Sequence, residues 1–305
     1  MASKGSRAKR KAALPLGLRA ARLGFALFSA VAPGPAGRRA ERMFRVPARR
    51  VRPAEEQALL LNARPLVLAF EGVELAGYEW RPERDELDLP PVLVQHGWES
   101  RASQLAPIVR ALLGAGHRVV AFDAPAHGDS PGRTATVSAF ADMVLAIDRR
   151  FGPFHAAIGH SVGGAAVLSA IAGGLRARRV ATLAAPASLR RATHRFGVWL
   201  GLNGRAIAAL QEATARANGR PLEAMEFTAL KPPAEVPVLL LHDPRDVQVP
   251  AAESAAIAGV WPNVVLRHVA GVGHNGILAA DSAHRLLLDF VAPRPRAAQG
   301  LALAS

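Results

Sequence analysis

Between residues 91 and 292, short apolar runs alternate with longer helical patterns, and this alternation limits the possible folds more than any other feature of the chain. The runs are PVLVQ (91–95), HRVVAFD (117–123), HAAIG (155–159), RRVATLAA (178–185), PVLLLHD (237–243) and VVLRHVAG (264–271). Interleaved with them are RASQLAPIVRALLGAG (101–116), TVSAFADMVLAIDRRFG (136–152), SVGGAAVLSAIAGGL (161–175), AAESAAIAGVW (251–261) and a last helical pattern over 277–292. Continuous apolar runs belong to strands buried on both faces, and a strand–helix–strand succession builds a mostly parallel sheet flanked by helices. Upstream, LVLAF (66–70) and ELAGYEW (74–80) around a Glu71-Gly72 turn predict a hairpin. The expected class is therefore α/β. Residues 187–234, helical in pattern and without a strong strand, read as a helical cap inserted after the sixth strand. The domain reading follows: a basic N-terminal extension with an amphipathic helix (1–60), a core (61–186 and 235–295), the cap (187–234) and a tail (296–305).

Charge is distributed unevenly. Residues 1–53 hold 14 Lys and Arg against the single acid Glu41, a net of +13 out of the chain's +14. The remaining body is nearly neutral, so it offers no groove-sized basic face and no nucleic-acid partner is expected. The absence of cysteine excludes disulfides, thiolate metal sites and a cysteine nucleophile. Within the extension, PLGLRAARLGFALFSAVA (15–32) has roughly helical spacing, with Arg19 and Arg22 among its leucines. PGPAG (33–37) is expected to break that helix before a second basic stretch. The uncharged run Leu23–Gly37 is too short to span a bilayer, which takes about 20 apolar residues. A signal peptide is opposed by Arg19, Arg22 and by Pro33 just after Ala30-Val31-Ala32. A cytoplasmic protein is expected; peripheral contact with a membrane surface and a solvated or core-packed extension both remain open for the N-terminus.

Chemistry is concentrated at strand ends. In IGHSVGG (158–164) a serine sits between Gly159 and Gly163 where a strand becomes a helix. A turn this sharp leaves no room for side chains at the flanking positions, and it holds the serine hydroxyl out from the top of the sheet. Serine is a weak nucleophile and needs a base oriented by an acid. Asp246 in HDPRDVQVP and His274 in GVGHNG follow in the order Ser, Asp, His. Asp243, three residues before Asp246, is the rival acid. A tetrahedral oxyanion needs two backbone donors. Val162, after the serine, supplies one at a helix N-terminus, and Trp98 in HGWES (96–100) is placed to supply the other.

HGW, FDAPAHGDSPG, IGHSVGG, HDPRDVQVP and GVGHNG, in that order, resemble the serine α/β-hydrolases over roughly residues 66–292. The resemblance implies an α/β-hydrolase fold and acyl transfer to water through an acyl-enzyme on Ser161, with Asp246 and His274 completing the triad and no cofactor or metal. It also implies a small-molecule acyl ester as substrate. His127, in the stretch resembling the family's strand-4 turn, reads as structural, and His160 as lining the pocket or the turn. Trp199, in the cap's apolar cluster with Phe196, Val198, Leu200 and Leu202, reads as substrate-binding. Two alternatives stay open. One is a thioesterase or acyltransferase whose anionic carrier meets Arg190, Arg191, Arg195 and Arg205. The other is a non-catalytic, membrane-associated binding protein of the same fold.

Overall fold

The structure is a computed structural model that describes residues 16–84 and 89–293. The charged start (1–12) and the tail (296–305) lie outside the described residues. By packing, the chain divides into a larger unit (Arg45–Ala192 with Ala215–Ser305) and a smaller one (Met1–Phe44 with Thr193–Thr214).

The larger unit is built on eight strands: β1 (Arg64–Phe70), β2 (Val73–Trp80), β3 (Val92–Gln95), β4 (Val119–Phe122), β5 (Ala156–His160), β6 (Val180–Leu183), β7 (Val238–His242) and β8 (Val264–His268). Their order across the sheet is β1-β2-β4-β3-β5-β6-β7-β8. The hairpin β1–β2 joins β4 antiparallel, and every pairing from β4 to β8 is parallel. Helices are numbered along the whole chain: α1 (Leu16–Val31), α2 (Pro33–Phe44), α3 (Ala54–Leu61), α4 (Ala106–Gly114), α5 (Val137–Phe151), α6 (Val162–Ala172), α7 (Leu189–Leu200), α8 (Gly204–Asn218), α9 (Ala252–Ala258), α10 (Gly273–Gly276) and α11 (Asp281–Val291).

Strands β3 to β7 are buried on both faces, because successive side chains alternate and helices cover each side of the sheet, whereas the edge strands β1 and β8 are partly exposed. Leu93, Val120, Phe122, Val238 and Leu240 enter one cluster with Phe140, Met143 and Ile147 of α5 and Val167 of α6. Their neighbours Val92, Val94, Val119, Ala121, Leu239 and Leu241 enter the other, with Ile108 and Leu112 of α4 and Leu287 of α11. This two-sided burial explains why the runs read as continuous apolar stretches in the sequence.

Residues 45–61 belong to this unit. The Arg49 guanidinium donates to the carbonyls of Gly128, Ser130 and Gly132 at 2.8–3.3 Å. Glu56 accepts from Arg101 at 2.6 Å and from the Ser103 hydroxyl at 2.7 Å, and the Trp80 indole donates to the Leu59 carbonyl at 3.0 Å. By packing, the larger unit therefore begins at Arg45, not at residue 61.

In the smaller unit, PGPAG does not end helical structure. Only Ala32 separates α1 from α2, and Pro33 opens α2, where its missing N–H costs nothing and its fixed φ suits the first turn. Ala36 and Ala40 of α2 pack with Leu200, Leu202, Ala206, Ile207 and Leu210. A Cβ at Gly37 would lie 2.4 Å from the Ala206 carbonyl oxygen, so α2 and α8 meet backbone to backbone. Among the described residues no helix is long and apolar enough to cross a membrane.

Candidate active site

The site is assembled from loops at the carboxyl ends of the parallel strands. Ser161 directly follows β5, and its amide donates to the Leu183 carbonyl of β6 at 2.9 Å, holding it to the sheet edge. Its backbone has φ 52° and ψ −124°. A residue with a side chain is strained in this region and persists there only when its surroundings force it. The flanking glycines show what forces it. A Cβ at Gly159 would fall 2.4 Å from the Gly163 carbonyl oxygen, and one at Gly163 would fall 2.3 Å from that of His96. The strand, the turn and the 96–98 loop are thus in backbone contact, and the serine side chain is the one group pushed outward.

His274 and Asp246 complete a chain of hydrogen bonds. The Ser161 hydroxyl and His274 Nε2 are 3.0 Å apart, and His274 Nδ1 and Asp246 Oδ2 are 2.7 Å apart. All three residues are buried to 9% exposure or less. Asp246 Oδ1 is occupied by the amides of Gln248 at 2.8 Å and Val249 at 3.0 Å, so the carboxylate cannot rotate away from the imidazole without losing both. The rival acid does something else. Asp243 accepts from the amide of Gly273 at 2.5 Å and from that of Arg245 at 2.9 Å, which anchors the loop carrying His274. These amides hold its carboxyl down to about 2. Gly271 and Gly273 of the same loop have φ values of 82° and 68°, which only glycine adopts freely.

His160, read from the sequence as lining the pocket or the turn, is 3% exposed and braces the His274 loop. Its Nε2–H donates to the His274 backbone carbonyl at 2.9 Å, and the two rings lie 4.9 Å apart. Burial, then the nearby His274, pushes His160 down to about 4, which keeps it neutral at physiological pH. Trp199 lies in the smaller unit, where it is half exposed and stacks on Phe196 at 6.0 Å. Leu200 and Leu202, expected beside it in a pocket wall, are core residues of that unit.

The loop after β3 approaches the serine closely: a Cβ on Gly97 would sit 3.0 Å from the Ser161 Cβ. Sequence reading singled out Trp98 here and missed His96. That imidazole is fully buried; its Nδ1–H donates to the Gly97 carbonyl at 2.7 Å, and its Nε2 accepts from the Ala124 amide at 3.0 Å. The peptide plane is rigid and trans, so fixing the Gly97 carbonyl also fixes the opposite direction of the Trp98 N–H. Burial and the neighbouring His127 push His96 down to about 3, so it carries no charge into this role. The signal that marks it is the His-Gly pair itself, directly after a buried strand. The Val162 amide lies in the first turn of α6, where helix N–H groups have no partner within the helix.

The 123–132 turn supports this loop from below. Asp123 accepts from the amides of Ala102 at 2.7 Å and Asp129 at 2.8 Å. At Gly128, with φ 49°, a Cβ would strike the Asp123 carboxylate at 2.0 Å. His127 packs edge-on against Trp98 and Phe140 and donates from Nδ1 to the Pro125 carbonyl at 2.9 Å, a packing role. Among the described residues, no group of three or more His, Asp or Glu is arranged to hold a metal ion.

A strained serine on a strand-to-helix turn, at the top of a parallel sheet and bonded to a histidine from the last loop, defines a class of fold that also emerges from comparison with known proteins. Residues 92–289 match the alpha/beta hydrolase family, and the chain belongs to that family of enzymes. No curated protein sequence matches it. Among solved structures it is similar to an esterase of Pyrococcus furiosus (20% identity, TM-score 0.60, 81% of this chain and 96% of that one). It is also similar to the mouse alpha/beta hydrolase domain-containing protein 10 (20% identity, TM-score 0.58, 75% and 97%). A third is Est1E of Butyrivibrio proteoclasticus with ferulic acid bound (20% identity, TM-score 0.56, 74% and 96%). At these identities the similarity is one of fold.

Proposed function

We propose that the chain is a serine hydrolase that cleaves carboxylic esters of small or medium acyl groups through an acyl-enzyme on Ser161. The observation that carries this reading is the buried hydrogen-bond chain from Ser161 through His274 to Asp246, at 3.0 and 2.7 Å. As Ser161 Oγ bonds to the ester carbonyl carbon, its proton passes to His274 Nε2 and the carbonyl electron pair moves onto oxygen. The amides of Val162 and Trp98 receive that oxyanion, the second held in direction by His96. Collapse expels the alkoxide, which takes the proton from His274. Water then attacks the acyl carbon, giving its proton to His274, and the acid leaves as Ser161 recovers its hydrogen. Asp246 keeps the imidazole in the tautomer that accepts from serine and offsets the charge when it is protonated.

An ester is favoured over an acyl group on an anionic carrier because Arg190 and Arg191 of the cap are already engaged. Arg190 pairs with Glu223, and Arg191 binds the Glu253 carboxylate at 3.1 Å. A fluorophosphonate probe should label the wild-type protein and not Ser161→Ala. On the best of a panel of p-nitrophenyl esters, Ser161→Ala and His274→Ala should each lower turnover on the order of 10⁵-fold, and the double variant should be little worse. Wild-type turnover by a folded Ser161→Ala would refute the mechanism. A higher kcat/KM on acyl-CoA thioesters than on any ester would refute the substrate class.

A further inference from the structure

Helix α1 packs in the smaller unit along one side only. Ser29 is buried, and it holds Asn203 through two bonds, from the Asn203 amide to Ser29 Oγ at 3.3 Å and from Asn203 Nδ2 to the Ser29 carbonyl at 2.7 Å. On another side stand Leu16, Leu23, Leu27 and Val31, which are 83%, 62%, 62% and 88% exposed. Their spacings of seven, four and four residues put them on one face at 100° per residue. Single exposed leucines are ordinary on a protein surface. An apolar stripe that runs the length of a 16-residue helix marks an interaction surface.

Helix α2 sets cations beside it. Arg38, Arg39 and Arg42 are exposed, and among the described residues none of them is ion-paired with a carboxylate. Together they rim a cavity of about 580 Å³ whose apolar lining includes Phe25 and Phe28 of α1. In sequence, the same end of the chain carries a net +13 over residues 1–53.

We propose that α1 and α2 dock the protein on the surface of an anionic phospholipid bilayer. The leucine face of α1 lies in the interface, and Arg38, Arg39 and Arg42 take headgroup phosphates while Phe25 and Phe28 receive the adjoining acyl segment. The charge selects this occupant. A second copy meeting the same face across a two-fold axis would bring two sets of unpaired arginines together. A nucleic acid would satisfy the arginines and leave the leucines in water. A 16-residue helix is about 24 Å long, which is short of a bilayer's hydrocarbon core, so the arrangement suits lying on a membrane and not spanning it. The proposal is independent of the triad's chemistry.

The test is co-sedimentation of the full chain with phosphatidylcholine vesicles, with and without phosphatidylglycerol. Binding is expected to the anionic vesicles at low salt and to fall as salt rises. Each arginine at such a surface is worth roughly five-fold in partitioning, so Arg38→Gln/Arg39→Gln/Arg42→Gln together should weaken binding about a hundred-fold. Leu23→Gln/Leu27→Gln should weaken it at least ten-fold, with the thermal midpoint and the hydrolysis of a soluble ester unchanged. The proposal is overturned if the parent chain stays in the supernatant with anionic vesicles at low salt, or binds neutral vesicles equally well. Parent-like binding by either variant also overturns it. So does light scattering that shows a dimer which Leu23→Gln/Leu27→Gln converts to a monomer, because the stripe is then a contact between copies.

Discussion

Replacing Asp246 by asparagine should disable the site through the tautomer of His274, and the structure sets the size of the effect. The amides of Gln248 and Val249 donate to one Asp246 oxygen. They would hold the asparagine carbonyl in that place and turn its NH₂ toward His274 Nδ1. An NH₂ group can only donate, so Nδ1 must lose its hydrogen and Nε2 must carry it. An imidazole protonated at Nε2 cannot accept from Ser161, and the expected loss in kcat is about 10⁴-fold, or about 5.5 kcal/mol of transition-state stabilisation. The fold should survive, because the two backbone bonds are kept. Asp243→Asn is the control. Both oxygens of Asp243 accept from backbone amides, and an asparagine can serve only one of them. That substitution should cost about 1–3 kcal/mol of stability, with a loss in kcat of roughly ten-fold from displacement of the His274 loop. The measurements are kcat on the best ester and the thermal midpoint of each variant. If Asp243→Asn lowers kcat as much as Asp246→Asn, or if Asp246→Asn stays within ten-fold of wild type, the assignment of the acid is wrong.

Two further outcomes follow from contacts at the turn and from the buried histidines. Gly163→Val should lower both turnover and thermal midpoint, since even its Cβ would sit 2.3 Å from one backbone oxygen and 2.5 Å from another; an active, fully stable variant would show that the turn tolerates displacement. Stability should also fall as pH drops from about 6.5 to about 4. Burial lowers His96 to about 3 and His117, His127 and His160 to about 4, against 6.5 for the free side chain. Across that interval the unfolded chain binds more protons, which favours unfolding. Asp123, raised to about 6 by burial, opposes this trend between about 4 and 6, but burial lowers His155 and His242 as well, so it is one group against six. A thermal midpoint that is level or rises between pH 6.5 and 4.5 would refute this account.

The alternation of strands and helices was legible because the parallel strands β3 to β7 are buried on both sides, which leaves uncharged runs that periodicity detects, while the edge strand β8 is partly exposed and carries Arg267. The serine turn was legible because backbone contacts at Gly159 and Gly163 exclude any other residue there. The start of the larger unit was not. Arg49, Arg52 and Glu56 sit in a stretch that reads as a basic appendage, and their partners Gly128, Asp129 and Arg101 lie 45 to 79 residues away. Hydrophobic pattern carries no information about such pairings. PGPAG was misread because proline ends a helix from inside it and begins one from the first turn, and only packing on Ala206 and Leu210 decides between the two. Whether His160 takes the pocket or the turn was not legible, because a five-residue apolar strand does not reveal which face its last residue takes. Ile158 faces the cluster that contains Ile277 and Leu278, and His160, two residues further on, looks the same way toward the His274 loop.

The smaller unit is made from two stretches of chain that are far apart in sequence, and this constrains the order of events during synthesis. Ser29 and Asn203, which bond to each other, are separated by 174 residues. At roughly 5–20 residues per second, α1 and α2 leave the ribosome on the order of ten seconds before α8 exists to cover Ala36 and Ala40. For that interval the apolar face of α2 and the leucine stripe of α1 are exposed together on a nascent chain. Helices α1 and α2 are therefore made before the sheet and are among the last of the described elements to be packed, when most of the sheet has already emerged.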